Sequence, residues 1–356
     1  MLKRTEVLVF AATGATLLAA ALLHFMGGGP ILQFASAAVA LSLLAMNVSS
    51  ATEHVGAHLN PGATGILQAA LGNLPELLVC AFSLRAGLVQ VVQAALIGSI
   101  LANSLLVLGI AILVGGIKHG RMHFDSESPR MIASLMMLAV AALAIPTLAA
   151  ELHTPASTHE QQLSAACAIL LLVVFAASLP FSLSADPSRS LRHDNKKPDA
   201  GNEDSWPLPM ALTVLVLASI GAALVSEWFV SALEPAIEAL HISQAFAGIV
   251  VVAIAGNAVE NATGLVLAYK RQSDLAVSVV KNSVAQIGAF LFPVLVLVSL
   301  VFTHHLTFQL KPVYAGALAL TALSVWQITG DGEAAEFEGW ALVAIYVILG
   351  ALTLYE

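Results

Sequence analysis

The sequence predicts an all-α integral membrane protein with about eleven transmembrane helices, arranged as two inverted five-helix repeats plus an extra N-terminal helix. Composition is the first observation, since 58% of the 356 residues are hydrophobic and only 10% are charged, with a mean hydropathy of +0.89. Soluble domains carry about 25% charged residues. The second observation is that apolar stretches long enough to cross a hydrocarbon core of about 30 Å recur along the chain. The third is a polar motif that occurs twice within them.

The apolar stretches define the predicted helices in order. The first follows Lys3 and Arg4 and is interpreted as a retained helix, because Gly27-Gly28-Gly29-Pro30 is a turn and not a small-residue cleavage site. Cys80 and Cys167 lie inside apolar stretches without a CxxC spacing, so they predict neither a disulfide nor a metal site. The predicted spans are residues 6–25, 31–55, 61–84, 88–117, 130–150, 161–183, 208–240, 243–270, 274–302, 311–328 and 338–355.

Basic residues predict the orientation of the chain in a cell (inner) membrane. When loops are assigned alternately to two sides, one side collects eleven Lys and Arg residues and the other only Arg85 and Lys311. Cytoplasmic loops carry such an excess, so the N-terminus is predicted to be cytoplasmic and the C-terminus outside. The acidic hairpin around Asp331 is expected on the exported side. The lipid bilayer is the predicted partner, no basic stripe indicates nucleic acid, and the oligomeric state stays open.

A polar segment divides the chain into two halves. Residues 185–207 are rich in Asp, Asn, Pro and charges of both signs, which is typical of a linker. The predicted organisation is an extra helix at 1–30, a first repeat at 31–184, a cytoplasmic linker at 185–207 and a second repeat at 208–356. Equivalent positions in the two repeats are five crossings apart, and an odd number inverts the second copy. Inverted repeats are typical of secondary transporters, with the site at their interface near the midplane.

The repeated polar motif contains the candidate site residues. On a helix, Asn73 and Glu76 share a face with Gly72, and Pro75 is expected to free the Leu71 carbonyl because it lacks an N–H. The glycines are expected either to border the site or only to let helices approach closely. An overlay at an offset of 184 residues pairs Gly72 with Gly256, Asn73 with Asn257, Glu76 with Glu260 and Ser99 with Ser283.

The chemistry of the motif indicates a hard cation. An ionised carboxylate at lipid depth is costly and by default functional. Calcium takes six to eight oxygen ligands, and Glu76 and Glu260 supply up to four carboxylate oxygens. His and Cys are absent from both motifs, which disfavours zinc and copper. Further candidate metal ligands are Asn73, Asn257, Ser99 and Ser283.

The same pair of carboxylates can bind protons in place of the cation. Two protonated glutamates, or two ionised glutamates with one divalent cation, are locally neutral. An empty ionised pair is strongly disfavoured at lipid depth. Obligatory exchange of Ca2+ for H+ is therefore predicted, with both as transported substrates and no resident cofactor.

Two long segments resemble the repeat motifs of the calcium/proton exchangers (CAX) of the calcium/cation antiporter superfamily. They are GNLPELLVCAFSLRAGLVQVVQAALIGSILANSLLVLG and GNAVENATGLVLAYKRQSDLAVSVVKNSVAQIGAFLFPVLVL. The segment ATEHVGAHL and the pairs Asp331-Gly332 and Glu338-Gly339 are similar to other family signatures. The resemblance implies that Glu76 and Glu260 are the transport carboxylates. It also implies that the cation path is lined by Asn73, Asn257, Ser99, Asn103, Ser283 and Gln286.

The chain departs from the family pattern at three places. Because of these departures, the choice of ion and the response to pH stay open. It has Leu74-Pro75 where the family usually has Ala-Thr, Asn261 where it has His, and Lys281-Asn282 where it has Leu-Gly. Lys281 is expected to snorkel or to form an interhelical pair, with a salt bridge to a site carboxylate as the alternative.

Two further glutamates are possible pathway or gate residues. Glu53 and Glu227 lie late in the first helices of their repeats and are interpreted either as gates or relays, or as interfacial solvated groups.

The sequence therefore predicts a secondary antiporter, not an enzyme, that exports Ca2+ from the cytoplasm in exchange for H+ by alternating access. One alternative keeps the fold and exchanges Na+, K+ or Mn2+. Another is a passive cation channel, which needs no proton coupling. An intramembrane hydrolase lacks any nucleophile and base arrangement in this sequence.

Overall fold

Helices make up nearly all of the fold. The computed structural model describes residues 4–59, 61–124, 127–184 and 206–355, so the predicted linker lies outside the described residues except for Trp206 and Pro207. The helices are α1 Arg4–Met26, α2 Pro30–Gly56, α3 Pro61–Leu71, α4 Leu74–Arg85, α5 Val89–His119, α6 Glu127–Glu151, α7 Glu160–Ser184, α8 Leu208–Leu240, α9 Gln244–Gly256, α10 Ala258–Tyr269, α11 Ser273–Ser299, α12 Pro312–Thr329 and α13 Glu336–Leu354.

Short irregular elements complete the architecture. Two strands, β1 Met122–His123 and β2 Glu333–Ala334, pair antiparallel. Three helices contain a wider π-helical turn, in α5 at Ala102–Val107, in α9 at Ala247–Val252 and in α11 at Ile287–Leu291. Such turns occur frequently at functional sites in helical proteins.

The number of membrane crossings agrees with the sequence prediction. Within the described ranges, nine helices are long and apolar enough to cross a membrane, and the bent pair α9 and α10 makes a tenth crossing when it counts as one. The pair α3 and α4 is interrupted in the same way, between Leu71 and Leu74. Counted as one more crossing, it brings the total to the predicted number of about eleven.

Both interrupted spans break at the Asn of the repeated motif. Asn73 has φ −99° and ψ 18°, and Asn257 has φ −101° and ψ 21°; these angles do not continue an α-helix. The prediction of continuous helices at 61–84 and 243–270 is therefore wrong, since each is a pair of helices, and α9 meets α10 at 62°. Pro75 removes a backbone donor in the first repeat. Val259 occupies the equivalent position in the second, so proline is not required for the break.

The predicted span at 274–302 ends early. The helix α11 stops at Ser299, and the connection from there to α12 contains no helix or strand. Phe308 and Leu310 point into the core with exposures of 0% and 5%. Their N–H groups donate to helix hydroxyls, Phe308 to Ser164 and Leu310 to Thr147, each over 3.0 Å. Buried apolar side chains and satisfied N–H groups thus stabilise this segment without a helix.

Contacts between two loops show that they lie on the same face of the helix bundle. Met122 of β1 pairs with Ala334 of β2, and Arg121 Nη1 lies 3.1 Å from Glu333 Oε2. The hairpin around Asp331 therefore lies on the face of residues 118–124, which the basic residues assign to the cytoplasm. The expectation of an exported hairpin is therefore incompatible with the predicted cytoplasmic position of residues 118–124, because an even number of crossings separates these two loops.

Two close helix crossings position the functional site. The helices α2 and α8 pack along each other, with the rings of Phe34 and Phe229 4.7 Å apart. The helix α5 crosses α9 at two glycines. A Cβ on Gly98 would lie 2.5 Å from the Ile249 carbonyl oxygen, and a Cβ on Gly248 would lie 2.9 Å from the backbone nitrogen of residue 95. Small residues permit this approach, which brings the end of α9 against the middle of α5.

Candidate functional site

The two motif carboxylates occupy equivalent positions in the two repeats. Glu76 and Glu260 each lie in the first turn of a half-helix, three residues after the Asn that precedes it. The N-terminus of a helix carries partial positive charge and interacts favourably with anions. Each break therefore places a carboxylate beside a positive helix end inside a membrane-spanning segment, where a continuous helix would have offered only paired backbone groups.

The side chains of Asn73 and Asn257 reach across the interface between the repeats. Neither side chain caps its own helix. Asn73 Nδ2 donates to Gln286 Oε1 over 3.1 Å, and Asn257 Nδ2 donates to Ser99 Oγ over 2.8 Å. Each bond joins the motif of one repeat to a helix of the other, α11 in the first case and α5 in the second.

Ser99 and Asn103 link this network to Glu76. Ser99 Oγ donates to Glu76 Oε1 over 2.5 Å while it accepts from Asn257. One turn further along α5, Asn103 Nδ2 donates to Asn257 Oδ1 over 2.9 Å and to Ser283 Oγ over 3.3 Å. Glu76, Ser99 and Asn103 of the first repeat are therefore connected through direct hydrogen bonds to Asn257 and Ser283 of the second.

One carbonyl fixes the orientation of the two central amides. Asn257 Nδ2 also donates to the Ala253 carbonyl oxygen over 3.0 Å, and a carbonyl can only accept. Asn257 Oδ1 must then be an acceptor, so Asn103 presents Nδ2 to it. Asn103 Oδ1 is left buried without a hydrogen-bond partner. Buried polar atoms are normally satisfied, so this oxygen is available to a donor or a cation.

The site is closely packed around Glu76. Glu76 is 6% exposed, and Ser99 and Asn103 are 0% exposed. Glu260 is half-buried. The sharing of one divalent ion by these two carboxylates stays a prediction.

The two motif glycines have different roles. A Cβ on Gly256 would lie 3.8 Å from the carboxyl carbon of Glu76, so the backbone of the second motif borders the carboxylate of the first. A Cβ on Gly72 would lie 2.5 Å from the Gln68 carbonyl oxygen of its own turn. Gly256 therefore borders the site, and Gly72 is needed for the local turn.

Three other residues considered from the sequence lie outside this network. Glu53 and Glu227 are exposed, on α2 and α8, and their role as gates stays a prediction. Lys281 is 4% exposed and donates to Thr329 Oγ1 over 2.5 Å. It forms no ion pair with Glu76 or Glu260. Lys281 thus makes an interhelical hydrogen bond near the C-terminus of α12, where a cation is favourable.

One serine that contacts the second break was not predicted from the sequence. Ser42 Oγ on α2 lies 2.9 Å from the Ala38 carbonyl oxygen of its own helix and 3.1 Å from the Ala255 carbonyl oxygen at the end of α9. The two carbonyl oxygens share its single donor. The equivalent residue at an offset of 184 is Ser226 on α8, whose buried hydroxyl has no partner. The sequence contains a signal for this pair, because the offset of 184 residues that pairs the two glutamates also pairs these serines. Equivalent positions in the two repeats therefore have different surroundings.

The assembled groups suit a hard cation. The network offers carboxylate, hydroxyl and amide oxygens and contains neither imidazole nor thiolate. In the part of the chain that the structure describes, no three His, Cys, Asp or Glu side chains form a metal cluster. A cation here would depend on two carboxylates plus neutral oxygens, a ligand set that calcium accepts.

Comparisons of the sequence give consistent matches over nearly the whole chain. A family model described as sodium/calcium exchanger protein matches residues 29–184 and 210–355. A Ca(2+)/H(+) antiporter of Synechocystis sp. is 34% identical over 342 residues, covering 92% of this chain and 91% of that protein. The Ca(2+)/H(+) antiporter ChaA of Bacillus subtilis is 32% identical over 317 residues, covering 89% and 90%.

Solved structures share the architecture. The structure of native YfkE superposes with a TM-score of 0.82 at 30% identity and covers 98% of this chain and 100% of that one. The H+/Ca2+ exchanger CAX superposes with a TM-score of 0.72 at 14% identity, over 96% of this chain and 92% of that one. The second match supports the fold alone, and together they confirm the all-α membrane fold predicted from the sequence.

Proposed function

Because the chain belongs to the sodium/calcium exchanger protein family, we propose that it is a secondary antiporter that exports Ca2+ from the cytoplasm in exchange for protons. One observation carries the proposal. Glu76 of the first repeat is bonded by Ser99, which in turn accepts from Asn257 of the second repeat. The relatives named Ca(2+)/H(+) antiporter support the choice of ions.

Calcium would be held between the two half-helix N-termini. Glu76 and Glu260 supply the negative charge that balances the ion. The positive N-terminal helix ends stabilise the ionised form of the two carboxylates. The ligand set would be completed by oxygens of Asn73, Asn257, Ser99 and Ser283. No resident cofactor is part of the proposal, and Ca2+ and H+ are its substrates.

Coupling follows from the charge of the carboxylate pair. One Ca2+ neutralises two ionised glutamates, and two protons do the same. The unoccupied ionised pair would leave two buried like charges, which costs several kcal/mol per ion even after relaxation. The protein therefore changes its access only with one of the two loads, which makes exchange obligatory.

Equivalent serines of the two repeats differ in their contacts, as expected for inverted repeats in one state of alternating access. Ser42 Oγ on α2 lies within hydrogen-bonding distance of the carbonyl oxygens of Ala38 and Ala255, whereas the Ser226 hydroxyl on α8 has no partner. Alternating access in a transporter with inverted repeats is largely a movement of one repeat against the other around the site, so the two repeats differ in their surroundings in each open state. The present conformation has such a difference between equivalent positions, because only Ser42 contacts the other repeat.

Transport across reconstituted vesicles tests the proposed function. With Ca2+ added on one side, we expect proton release on that side and proton movement that stops when Ca2+ is removed. Parallel runs with Mn2+, Na+ and K+ identify the exchanged cation, because only a coupled substrate drives proton movement. Cation flux that leaves the proton gradient unchanged would indicate a channel and contradict the proposal.

The proposed orientation has the N-terminus and residues 185–207 in the cytoplasm and the C-terminus outside, in the cell membrane. The division into an extra helix at 1–30, repeats at 31–184 and 208–356 and this linker is part of the proposal. A reporter inserted near Asn195 should be cytoplasmic, and a tag after Tyr355 should be labelled from outside. Both reporters on one side would contradict the eleven crossings.

A further inference from the structure

A cavity outside the transport network lies between four helices, beside the buried ammonium group of Lys281. Its lining includes Ser104 of α5, Met136 of α6, Lys281 of α11 and Trp326 of α12. Of the residues that line it, only Trp326 is exposed, at 57%. The cavity therefore opens beside Trp326, on the surface of the helix bundle that faces lipid.

The charge of Lys281 is not balanced by a carboxylate. The residue is 4% exposed, and its Nζ donates to Thr329 Oγ1 over 2.5 Å. Within the described ranges it forms no ion pair. An ammonium group has three N–H donors, and the Thr329 hydroxyl accepts only one of them. Because an unpaired buried charge is strongly destabilising, an anion next to Nζ would stabilise this arrangement.

A second donor without a partner lines the same cavity. Ser104 lies in the π-helical turn of α5 and is 2% exposed. Its hydroxyl makes no hydrogen bond to any residue that the structure describes, although a serine in a helix can donate to a carbonyl of the preceding turn. Lys281 and Ser104 together therefore suit a ligand that accepts hydrogen bonds and carries negative charge.

The Lys281 ammonium group lies near one surface of the membrane. Thr329 is the last residue of α12, and the strand β2 that follows it pairs with β1, on the face that the basic residues assign to the cytoplasm. The helix α11 begins on this face, and a helical side chain points back towards the start of its helix. Tryptophan is enriched at membrane surfaces, and anionic lipids are concentrated in the cytoplasmic leaflet. The opening beside Trp326 is thus at the depth of lipid headgroups.

We propose that this cavity binds an anionic phospholipid, with one phosphate oxygen between Lys281 and Ser104 and the rest of the lipid against Trp326. The enclosed space has room for about one water-sized group, so a single oxygen enters and the remaining headgroup stays at the opening. Lys281 stands where the related exchangers usually have leucine, so the site is a feature of this chain.

A lipid bound here would lie close to the transport network. Ser104 follows Asn103 directly, and Lys281 precedes Ser283 by two residues. Asn103 Nδ2 donates to Ser283 Oγ over 3.3 Å. A phosphate held by both Ser104 and Lys281 therefore joins α5 to α11 beside the hydrogen bond that already links these two helices.

Lipid binding to the purified protein tests the inference. In native mass spectrometry, one dioleoyl phosphatidylglycerol should bind roughly tenfold more tightly than dioleoyl phosphatidylcholine, the effect of one bond to a charged group. Lys281→Met keeps a long side chain without the charge and should abolish this preference, and Ser104→Ala should reduce it. The matched control is Lys270→Met, since Lys270 is exposed after the end of α10 and should keep the wild-type preference.

Two further conditions identify the source of the phosphate oxygen. Inorganic phosphate should not displace the bound phosphatidylglycerol, and displacement would show a site for free anions instead of lipid. The preference should persist in about 0.5 M ammonium acetate, because salt screens a buried charge much less than an exposed one. A preference that is lost at this salt concentration, or that falls equally in Lys281→Met and Lys270→Met, would show a diffuse attraction and contradict the inference.

Tryptophan fluorescence locates the bound lipid. The signal of Trp326, taken as the difference between the wild type and Trp326→Phe, should be quenched by brominated phosphatidylglycerol at lower lipid fractions than by brominated phosphatidylcholine. Lys281→Met should remove this difference while still eluting as a monodisperse protein. If Lys281→Met keeps the wild-type binding and quenching, the cavity holds no more than water and the inference is overturned. Neither measurement requires transport, so both are independent of the proposed exchange of Ca2+ for protons.

Discussion

Replacing Glu76 by Gln is expected to abolish Ca2+-driven proton exchange while the protein still inserts and folds. Gln has the shape of the protonated carboxyl, so Ser99 can still donate to its oxygen. It cannot ionise, so the site loses one of two charges that balance Ca2+. Breaking a buried charge pairing costs about 3–5 kcal/mol, which corresponds to a loss of affinity of at least about a hundredfold. Glu260→Gln should have the same effect.

The measurement compares coupled exchange at equal amounts of reconstituted protein. The matched control is Glu234→Gln, because Glu234 lies exposed on α8 and undergoes the same chemical change away from the site. It should keep the wild-type rate, and monodisperse elution in detergent should show that all three variants fold. Exchange at the wild-type rate in either Glu76→Gln or Glu260→Gln would refute a site that needs both carboxylates.

The carboxylate pair could be predicted because its signal is local and repeated. A Glu in an apolar segment is unusual on its own, and the offset of 184 residues places a second one in the same context. The inverted arrangement follows from counting crossings between them. The sequence also indicated Ser99 and Ser283, since both are hydroxyl residues at that same offset within long apolar helices.

The bonds inside the site could not be predicted in the same way. Asn103 bonds Asn257 and Ser283, residues 154 and 180 positions away, and no local pattern specifies which of several polar side chains meet. The break at Asn257 was missed because Val259 offers no proline signal. It forms where an Asn takes a backbone conformation that does not continue the helix, and the side chain of that Asn is held by a bond to Ser99 of the other repeat.

The acidic hairpin illustrates a different error. Acidic residues between two spans were interpreted as an exported surface, although the number of crossings already placed residues 331–335 with residues 118–124. The structure pairs these segments through β1 and β2 and through the contact of Arg121 with Glu333. The number of crossings predicts the side of this loop better than its acidic residues do. Only Lys and Arg residues in a loop indicate on which side of the membrane the loop lies.

The apparent affinity for Ca2+ is expected to fall steeply as pH is lowered on the binding side. Glu76 and Glu260 must lose their protons to bind the ion, so metal binding releases protons and is weakened by them. The sign is unambiguous, since acid favours the proton-loaded pair and alkali favours the calcium-loaded pair. At pH values below the titration range of the ligands, the affinity falls about tenfold for each pH unit if one proton is released per bound Ca2+. If two protons are released, the affinity falls about a hundredfold for each pH unit.

Calcium binding in detergent between pH 8 and about pH 5 measures this competition, with a pH dye to count the protons released per bound ion. The Glu234→Gln protein should reproduce the wild-type slope, because its substituted residue lies outside the network. Proton release should approach two per Ca2+ where both carboxylates begin protonated. An affinity that stays constant over this range would mean that protons cross elsewhere, and Glu53 on α2 and Glu227 on α8, both of which are exposed, would then be the next residues to substitute.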